Sequence, residues 1–145
     1  MPINVINIYR FPLFGAMAKR IYCFGNTDIK EDRLALELAD ELARDKELKK
    51  KGIEFIKCTS PDFLLNTNEK EIIILDVVRG LKDVQIITDL NRLNATKTTT
   101  MHDFDLGTVL KLLKEAGQIK NVRIIGIPSG ADNNNVKKKI ISFLS

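Results

Sequence analysis

Apolar and polar positions follow two different periods along this chain, and their alternation predicts strands and helices in turn. Short apolar runs at residues 20–24 and 53–57 predict two strands. The unbroken run EIIILDVV at 71–78 predicts a central parallel strand, because continuous Ile and Val are typical of strands covered on both faces. The run NVRIIGI at 121–127 predicts another buried strand, and residues 83–87 predict a strand nearer the edge of the sheet.

Amphipathic segments between these strands predict helices. Apolar residues recur at helical spacing in a first segment, which is expected to run from residue 34 to 51 and to end at a glycine. A second helix is expected to begin at Asp103 or Asp105 and to end near Glu115, and a last helix is expected over 132–144.

Strand and helix alternate along the chain, which predicts an α/β fold of a single domain. The expected architecture is a three-layer sandwich, with a mainly parallel, doubly wound sheet and helices on both faces. The order Ser60-Pro61 predicts one further short helical segment that begins at the proline. Residues 17–145 make up the predicted domain. Residues 1–16 are an N-terminal extension, in which Ile3–Phe11 is a candidate edge strand expected to dock on the sheet.

Composition narrows the class of protein. The chain has 145 residues, of which 44% are hydrophobic, and this is typical of one packed globular domain. No apolar run approaches the roughly 18 residues that a membrane span requires. Arg10 and Pro12 interrupt the apolar stretch near the N-terminus, so no secretory signal is predicted. We therefore expect a soluble, cytoplasmic protein, with a monomer as the default oligomeric state.

The positive charge and the cysteines indicate no special chemistry. The net charge is +4, but the lysine runs at 49–51 and 137–139 lie in polar parts of predicted helices without interleaved aromatic residues, so no nucleic-acid partner is expected. Cys23 and Cys58 form no CxxC pair and lie in strand-like surroundings, so each is expected to be a buried, reduced thiol. The phosphate-binding glycine motifs are absent, which leaves a small-molecule or nucleotide-binding domain supported by fold analogy alone.

Reactive side chains are expected where the parallel strands end, because ligands of such sheets bind beyond the carboxyl ends of the strands. The first strand is followed by Gly25-Asn26 and then by an acidic pair that ends in Asp32. The strongest strand carries Asp76, and His102 is the single histidine of the chain. Two carboxylates and one imidazole could meet at this edge, and such a donor set suits a borderline divalent cation such as nickel or zinc. Three protein ligands would leave the site open to water or to a partner's ligands.

Each of these residues also has a purely structural interpretation. A histidine at a helix start is more often hydrogen bonded or exposed than a ligand, and the Glu31-Asp32 pair could serve only to complement a helix dipole. Asp76 could cap a turn after its strand, although a charge beside a buried strand must be paired or functional. Gly25-Asn26 is also the sequence of a simple turn. The combination, rather than any one residue, indicates a site.

In combination, these motifs resemble those of the NiFe-hydrogenase maturation endopeptidase family, whose members trim the C-terminus of a hydrogenase large subunit. The resemblance spans Arg20–Leu144. It rests on a Gly-Asn turn followed four residues later by an acidic pair, on the Asp in EIIILDVV, on the His of MHDFDLGTVLKLL and on VRIIGIP. The resemblance implies that Asp32, Asp76 and His102 are metal ligands, and that Asp32 and Asp76 are the catalytic residues.

The activity that this resemblance implies is removal of a C-terminal peptide from a nickel-loaded hydrogenase large-subunit precursor. Nickel arrives with the substrate and acts as the recognition element, and no organic cofactor, membrane or nucleic acid takes part. The group that activates the attacking water stays open between Asp32, Asp76 and a metal-bound water. Gly25, Asn26 and Thr59 are the expected substrate-binding positions.

Two departures from the family's pattern support an alternative function. Relatives carry an Asp-Gly-Gly-Thr type of turn after the second strand, whereas this chain has Lys57-Cys58-Thr59-Ser60. Arg33-Leu34-Ala35 stands where relatives have a glycine-containing sequence after the acidic pair. Since the turn lines the site in relatives, the alternative is a catalytically degenerate relative that binds a hydrogenase precursor or another partner without cleaving it.

Overall fold

The computed structural model shows an α/β fold, in which helices pack on one β-sheet. It describes residues 19–25, 33–65, 67–90 and 101–144, without the side chains of 61 and 101–105. The candidate edge strand at Ile3–Phe11 lies outside these ranges. None of the helices in the described part of the chain is long and apolar enough to cross a membrane.

The strands of the described residues form one sheet. They are β1 (Lys19–Phe24), β2 (Ile53–Cys58), β3 (Glu71–Val78), β4 (Gln85–Ile87) and β5 (Asn121–Pro128). Their order in the sheet is β2-β1-β3-β5-β4. Neighbouring strands are parallel except for β4, which runs antiparallel to β5 at the edge of the sheet. This confirms the predicted, mainly parallel sheet, with its most apolar run at the centre.

The helices connect these strands and cover them. Ser60 precedes the predicted short segment, and its Oγ accepts a hydrogen bond of 3.3 Å from the backbone N–H of Asp62, which caps a 3-10 helix. Asp132 caps the last helix in the same way, with Oδ2 3.1 Å from the N–H of Asn135. The helices are α1 (Arg33–Leu42), α2 (Lys46–Lys50), the 3-10 helix (Pro61–Leu64), α3 (Met101–Glu115) and α4 (Asn133–Leu144).

The prediction of one continuous helix over 34–51 is wrong, because the chain breaks between α1 and α2. Asp45 stands at the break with extended backbone angles, and its Oδ1 accepts a hydrogen bond of 3.0 Å from the N–H of Leu48. A short Asp side chain competes in this way with the backbone of a continuing helix. Leu48, in the helix after the break, is buried. The helical spacing of apolar residues alone does not reveal the break.

The start of α3 also differs from its prediction. The helix begins at Met101 rather than at Asp103 or Asp105, so His102 lies within the first turn instead of before the helix. Both acidic residues therefore lie inside the first turns of the helix.

Two apolar clusters, one on each face of the sheet, form the core. Alternate residues of β3 divide between them: Ile73 and Leu75 face α1, α2 and α4, whereas Ile72 and Ile74 face α3 and the 3-10 helix. A central strand that is covered on both faces explains the continuous apolar run in the sequence. The predicted three layers are therefore confirmed.

The direction of α3 decides which end of the sheet its first turn covers. After α3, the N–H of Lys120 donates a hydrogen bond of 2.7 Å to the carbonyl of Lys70, directly before β3 begins. The C-terminal end of α3 is thus at the amino end of the strands. Its 15 residues span about 22 Å, close to the length of β3, so the first turn of α3 lies at the carboxyl edge of the sheet.

Candidate functional site

Asp76 is a buried acid at the carboxyl end of the central strand. It is the sixth of the eight residues of β3, is 2% exposed, and is the one buried charged side chain among the described residues. Its Oδ2 atom is inaccessible to solvent. Alternation along β3 places Asp76 on the same face as Ile74, which is the face that α3 covers. A carboxyl group at such a position is costly unless other groups or a ligand compensate for its burial.

The strand register brings two further predicted positions to the same edge. Cys23 of β1 pairs with Leu75, so Gly25, which is also buried, follows two residues further along the neighbouring strand. Thr59 is exposed and directly follows β2, which is the next strand outward. Adjacent strands are about 4.8 Å apart, so Thr59 lies two strand spacings, or about 10 Å, from β3.

The first turn of α3 lies over this same face at this same edge. Its direction brings the backbone of His102 to the carboxyl end of the sheet, on the side to which Asp76 belongs. The structure therefore places Asp76, Gly25, Thr59 and the helical turn that carries His102 at one edge. The side chain of His102 is not among those described.

Two of the predicted site residues lie outside the described residues. These are Asn26 and Asp32, although α1 begins at Arg33, the residue that follows the acid. Among the described side chains no group of three or more His, Cys, Asp and Glu could hold a metal ion. The predicted ligand set of Asp32, Asp76 and His102 includes only one of these side chains, so it stays a prediction.

Known structures share this arrangement of strands and helices. No protein-family model and no curated protein matches the chain. The hydrogenase maturating endopeptidase HybD from E. coli matches with a TM-score of 0.62 at 17% identity, over 88% of each chain. The endopeptidase HycI from Escherichia coli matches with a TM-score of 0.63 at 20% identity, over 87% of this chain and 88% of that one. The NiFe hydrogenase maturation protease HycI from Thermococcus kodakarensis matches with a TM-score of 0.55 at 15% identity, over 92% and 96%.

The chain has the fold of the hydrogenase maturation endopeptidases. The matches cover nearly all of both chains, so the likeness extends over the whole domain rather than over one βαβ unit. This confirms the fold that the motifs between Arg20 and Leu144 implied.

On this endopeptidase fold, neither cysteine is available as a nucleophile. Cys23 and Cys58 are both buried and free, as predicted. Burial raises the pKa of the Cys58 thiol to about 12 and that of Cys23 well above its ordinary value. Both therefore remain protonated at neutral pH, and a protonated thiol is neither a nucleophile nor a metal ligand.

The turn after β2 lies between two exposed polar contacts. Lys57 Nζ forms an ion pair of 3.1 Å with Asp40 of α1, and Ser60 caps the 3-10 helix. Thr59 stands exposed between these two contacts. The turn therefore presents one hydroxyl group to solvent between these contacts.

A cavity of about 530 Å³ lies beside the carboxyl end of β5, but on the other face of the sheet. Val84 and Val136 belong to its lining, and both are part of the cluster under α1 and α4. Asp76 is on the opposite face, so this cavity is separate from the candidate site.

The sequence analysis missed two residues next to Asp76. Gly126 is its register partner on β5, and the side chain of Leu81 lies directly over that glycine. A glycine inside the apolar run VRIIGIP is a signal that could have indicated it, because glycine within a buried strand often marks a close approach by another group. Leu81 has no such signal, since it lies in a turn.

Proposed function

We propose that this protein is an endopeptidase that removes a C-terminal peptide from a nickel-loaded NiFe-hydrogenase large-subunit precursor. The observation that carries the proposal is the buried carboxyl group of Asp76 at the carboxyl edge of a fold shared with hydrogenase maturation endopeptidases. The first turn of α3, which carries His102, covers the same face at the same edge. Such a protein would act in the cytoplasm, as a soluble monomer.

Asp32, Asp76 and His102 are the proposed ligands of the nickel that the precursor presents. Carboxylate and imidazole are donors that suit a borderline divalent cation. Three protein ligands are too few for a closed, permanent site, so they complete the coordination of a metal that another protein holds. Cleavage would then depend on prior nickel insertion, and the protein itself would need no organic cofactor.

Hydrolysis requires a group that takes a proton from water. In the proposed reaction the water oxygen attacks the scissile carbonyl carbon, its proton passes to a carboxylate, and the carbon–nitrogen bond breaks as the proton moves to the leaving amine. Asp76 and Asp32 are the candidates for this carboxylate. Alternatively, the attacking water would be bound by the nickel that the precursor presents, because a metal ion lowers the pKa of a bound water and so activates it.

Gly25, Asn26 and Thr59 are the proposed contacts to the substrate peptide. Gly25 has no side chain, so a peptide backbone can approach the end of β1 closely. Thr59 presents its hydroxyl group at the end of the next strand. An extended peptide of about three residues would span the 10 Å or so between β2 and β3.

A second candidate function is binding of the precursor, or of another partner, without cleavage. The altered sequence Lys57–Ser60 favours it, because Lys57 is paired with Asp40 and Ser60 is engaged as a helix cap. A turn held in this way has less freedom to close on a substrate than the glycine turn of the family.

Intact-mass measurement of a candidate precursor, incubated with the full chain, distinguishes the two functions. The matched control is the same precursor without nickel. Loss of a C-terminal peptide only from the nickel-loaded sample is expected. A stable complex with no change in the mass of the precursor would instead establish the non-cleaving function. Equal cleavage of the precursor with and without nickel would contradict the proposed recognition of nickel.

A further inference from the structure

Gly126 leaves a space beside Asp76 that a residue from outside the strand occupies. The two residues are register partners on adjacent parallel strands, so they share one face of the sheet. A Cβ atom added to Gly126 would lie 2.8 Å from Leu81 Cδ1, 3.1 Å from Ile87 Cδ1 and 3.4 Å from Val78 Cγ2. Three apolar side chains therefore converge on the position next to the acid.

Leu81 reaches this position through the turn that follows β3. Gly80 has a φ angle of +90°, a conformation that residues with side chains rarely adopt, and it allows the chain to reverse. Leu81 then packs, half-buried, against the cluster under α3. Since the turn lies at the carboxyl edge, Leu81 covers the neighbourhood of Asp76 from that edge.

The core above Gly126 is filled by Leu81, which lies outside strand β5. Other positions of β5 on this face, Val122 and Ile124, fill the space above them with their own branched side chains. The Cβ of a valine or isoleucine at 126 would lie 2.8 Å from Leu81 Cδ1. The space above this position is therefore filled by a side chain from the turn and not by one from β5. The turn that follows β3 is thereby coupled to the environment of the acid.

We propose that Leu81, seated over Gly126, is a positioning residue: it closes the β5 side of the Asp76 carboxyl group and keeps that group toward the first turn of α3. This inference rests on the proposed function, in which Asp76 contacts the nickel and the scissile peptide. Without Leu81, water or a second side-chain rotamer would occupy the space over Gly126. Misplacement of a catalytic group by about 1 Å can lower a rate by about 100-fold.

Two substitutions disturb this arrangement from opposite directions. Leu81→Ala removes the side chain, and Gly126→Ala displaces it by placing a methyl group in the 2.8 Å contact. The double variant Leu81→Ala/Gly126→Ala puts the new methyl group into the vacated space and should recover part of the loss, while Leu81→Met tests a substitution of similar volume. Leu112→Ala on α3, where the leucine is 59% exposed, is the matched control for loss of a leucine side chain.

Crystal structures and steady-state kinetics of these variants provide two separate readouts. The structures are expected to show one Asp76 rotamer in the wild type, and a second rotamer or an added water beside the carboxyl group in Leu81→Ala. Cleavage of nickel-loaded precursor is expected to show kcat reduced about 10- to 100-fold with KM nearly unchanged, and partial recovery in the double variant and in Leu81→Met.

An unchanged Asp76 rotamer with no new water in Leu81→Ala would overturn the inference, whatever the activity. Altered geometry with unchanged kcat would overturn it as well, because Leu81 would then not position a group that the reaction uses. If the wild type cleaves no precursor, the proposed function fails, and the Asp76 rotamer alone decides whether Leu81 holds the acid.

Discussion

The Tyr22 hydroxyl group donates a hydrogen bond of 2.8 Å to Glu69 Oε1. It thereby ties the connection between β2 and β3 to strand β1. The same carboxylate lies 3.6 Å from Arg20 Nη1, and Thr67 Oγ1 is 3.3 Å from the tyrosine oxygen. This connection begins at the turn that carries Thr59, so the polar cluster around Tyr22 anchors one end of a segment whose other end is at the candidate site.

Tyr22→Phe is expected to lower the free energy of unfolding by about 1–2 kcal/mol, because it removes a hydrogen bond to a carboxylate. Urea denaturation measures the change. The double-mutant cycle with Glu69→Ala, which removes the acceptor, is the control, since two groups in contact should show a coupling energy of about 0.5 kcal/mol or more. Strictly additive effects of the two substitutions would contradict the interaction.

Stability is expected to fall at alkaline pH because of Cys58. Burial raises the pKa of its thiol from 9.0 to about 12 in the folded protein, so the neutral thiol is favoured there. The contribution is fully present below pH 9 and is lost as the pH rises from about 9 toward 12. Urea unfolding at several pH values between 8 and 11 measures the slope, roughly over the range where unfolded thiols ionise. Cys58→Val cannot ionise and should show a shallower decline; a slope equal to that of the wild type would refute this assignment.

Asp76→Asn is expected to lower the rate of precursor cleavage by at least about 100-fold, the usual scale for a carboxylate that moves protons or binds the reacting group. Intact mass of the nickel-loaded precursor measures cleavage, and far-UV circular dichroism checks that the fold is retained. Asp62→Asn, at an exposed position of the 3-10 helix, is the matched control and should cleave like the wild type. Cleavage by Asp76→Asn at a rate near that of the wild type would exclude a chemical role for this acid.

His102→Ala is expected to abolish cleavage of the nickel-loaded precursor, because the imidazole is the one nitrogen donor in the proposed ligand set. The measurement compares cleavage of nickel-loaded precursor by the variant and by Lys114→Ala, a substitution at an exposed position of the same helix. Equal rates in the two variants would show that His102 has a structural role or none.

The central part of the fold could be predicted from the sequence because each of its strands corresponds to a local apolar run. EIIILDVV and NVRIIGI are mostly apolar, and the strands that they predict pair side by side at the centre of the sheet. Asp76 could be selected for the same reason, since one acid within such a run conflicts with burial.

Features that depend on competition between local contacts could not be predicted. The break before α2 depends on one side-chain hydrogen bond from Asp45, whose residue type is also tolerated within helices. The approach of Leu81 to Gly126 depends on how two strands are aligned and on the direction of a turn, and the apolar spacing within one segment specifies neither. The contacts that surround Asp76 depend in the same way on strand alignment and turn direction, so they could not be predicted.

Strand β3 is bonded to β1 on one side and to β5 on the other. Its backbone cannot exchange amide hydrogens with solvent unless the sheet itself separates, so the acid is attached to the slowest-opening part of the molecule. Residues 59 and 60, which follow β2, lie outside these strands. Changes in substrate preference can therefore accumulate at these two positions, by natural variation or by engineering, while the carboxyl group stays in place.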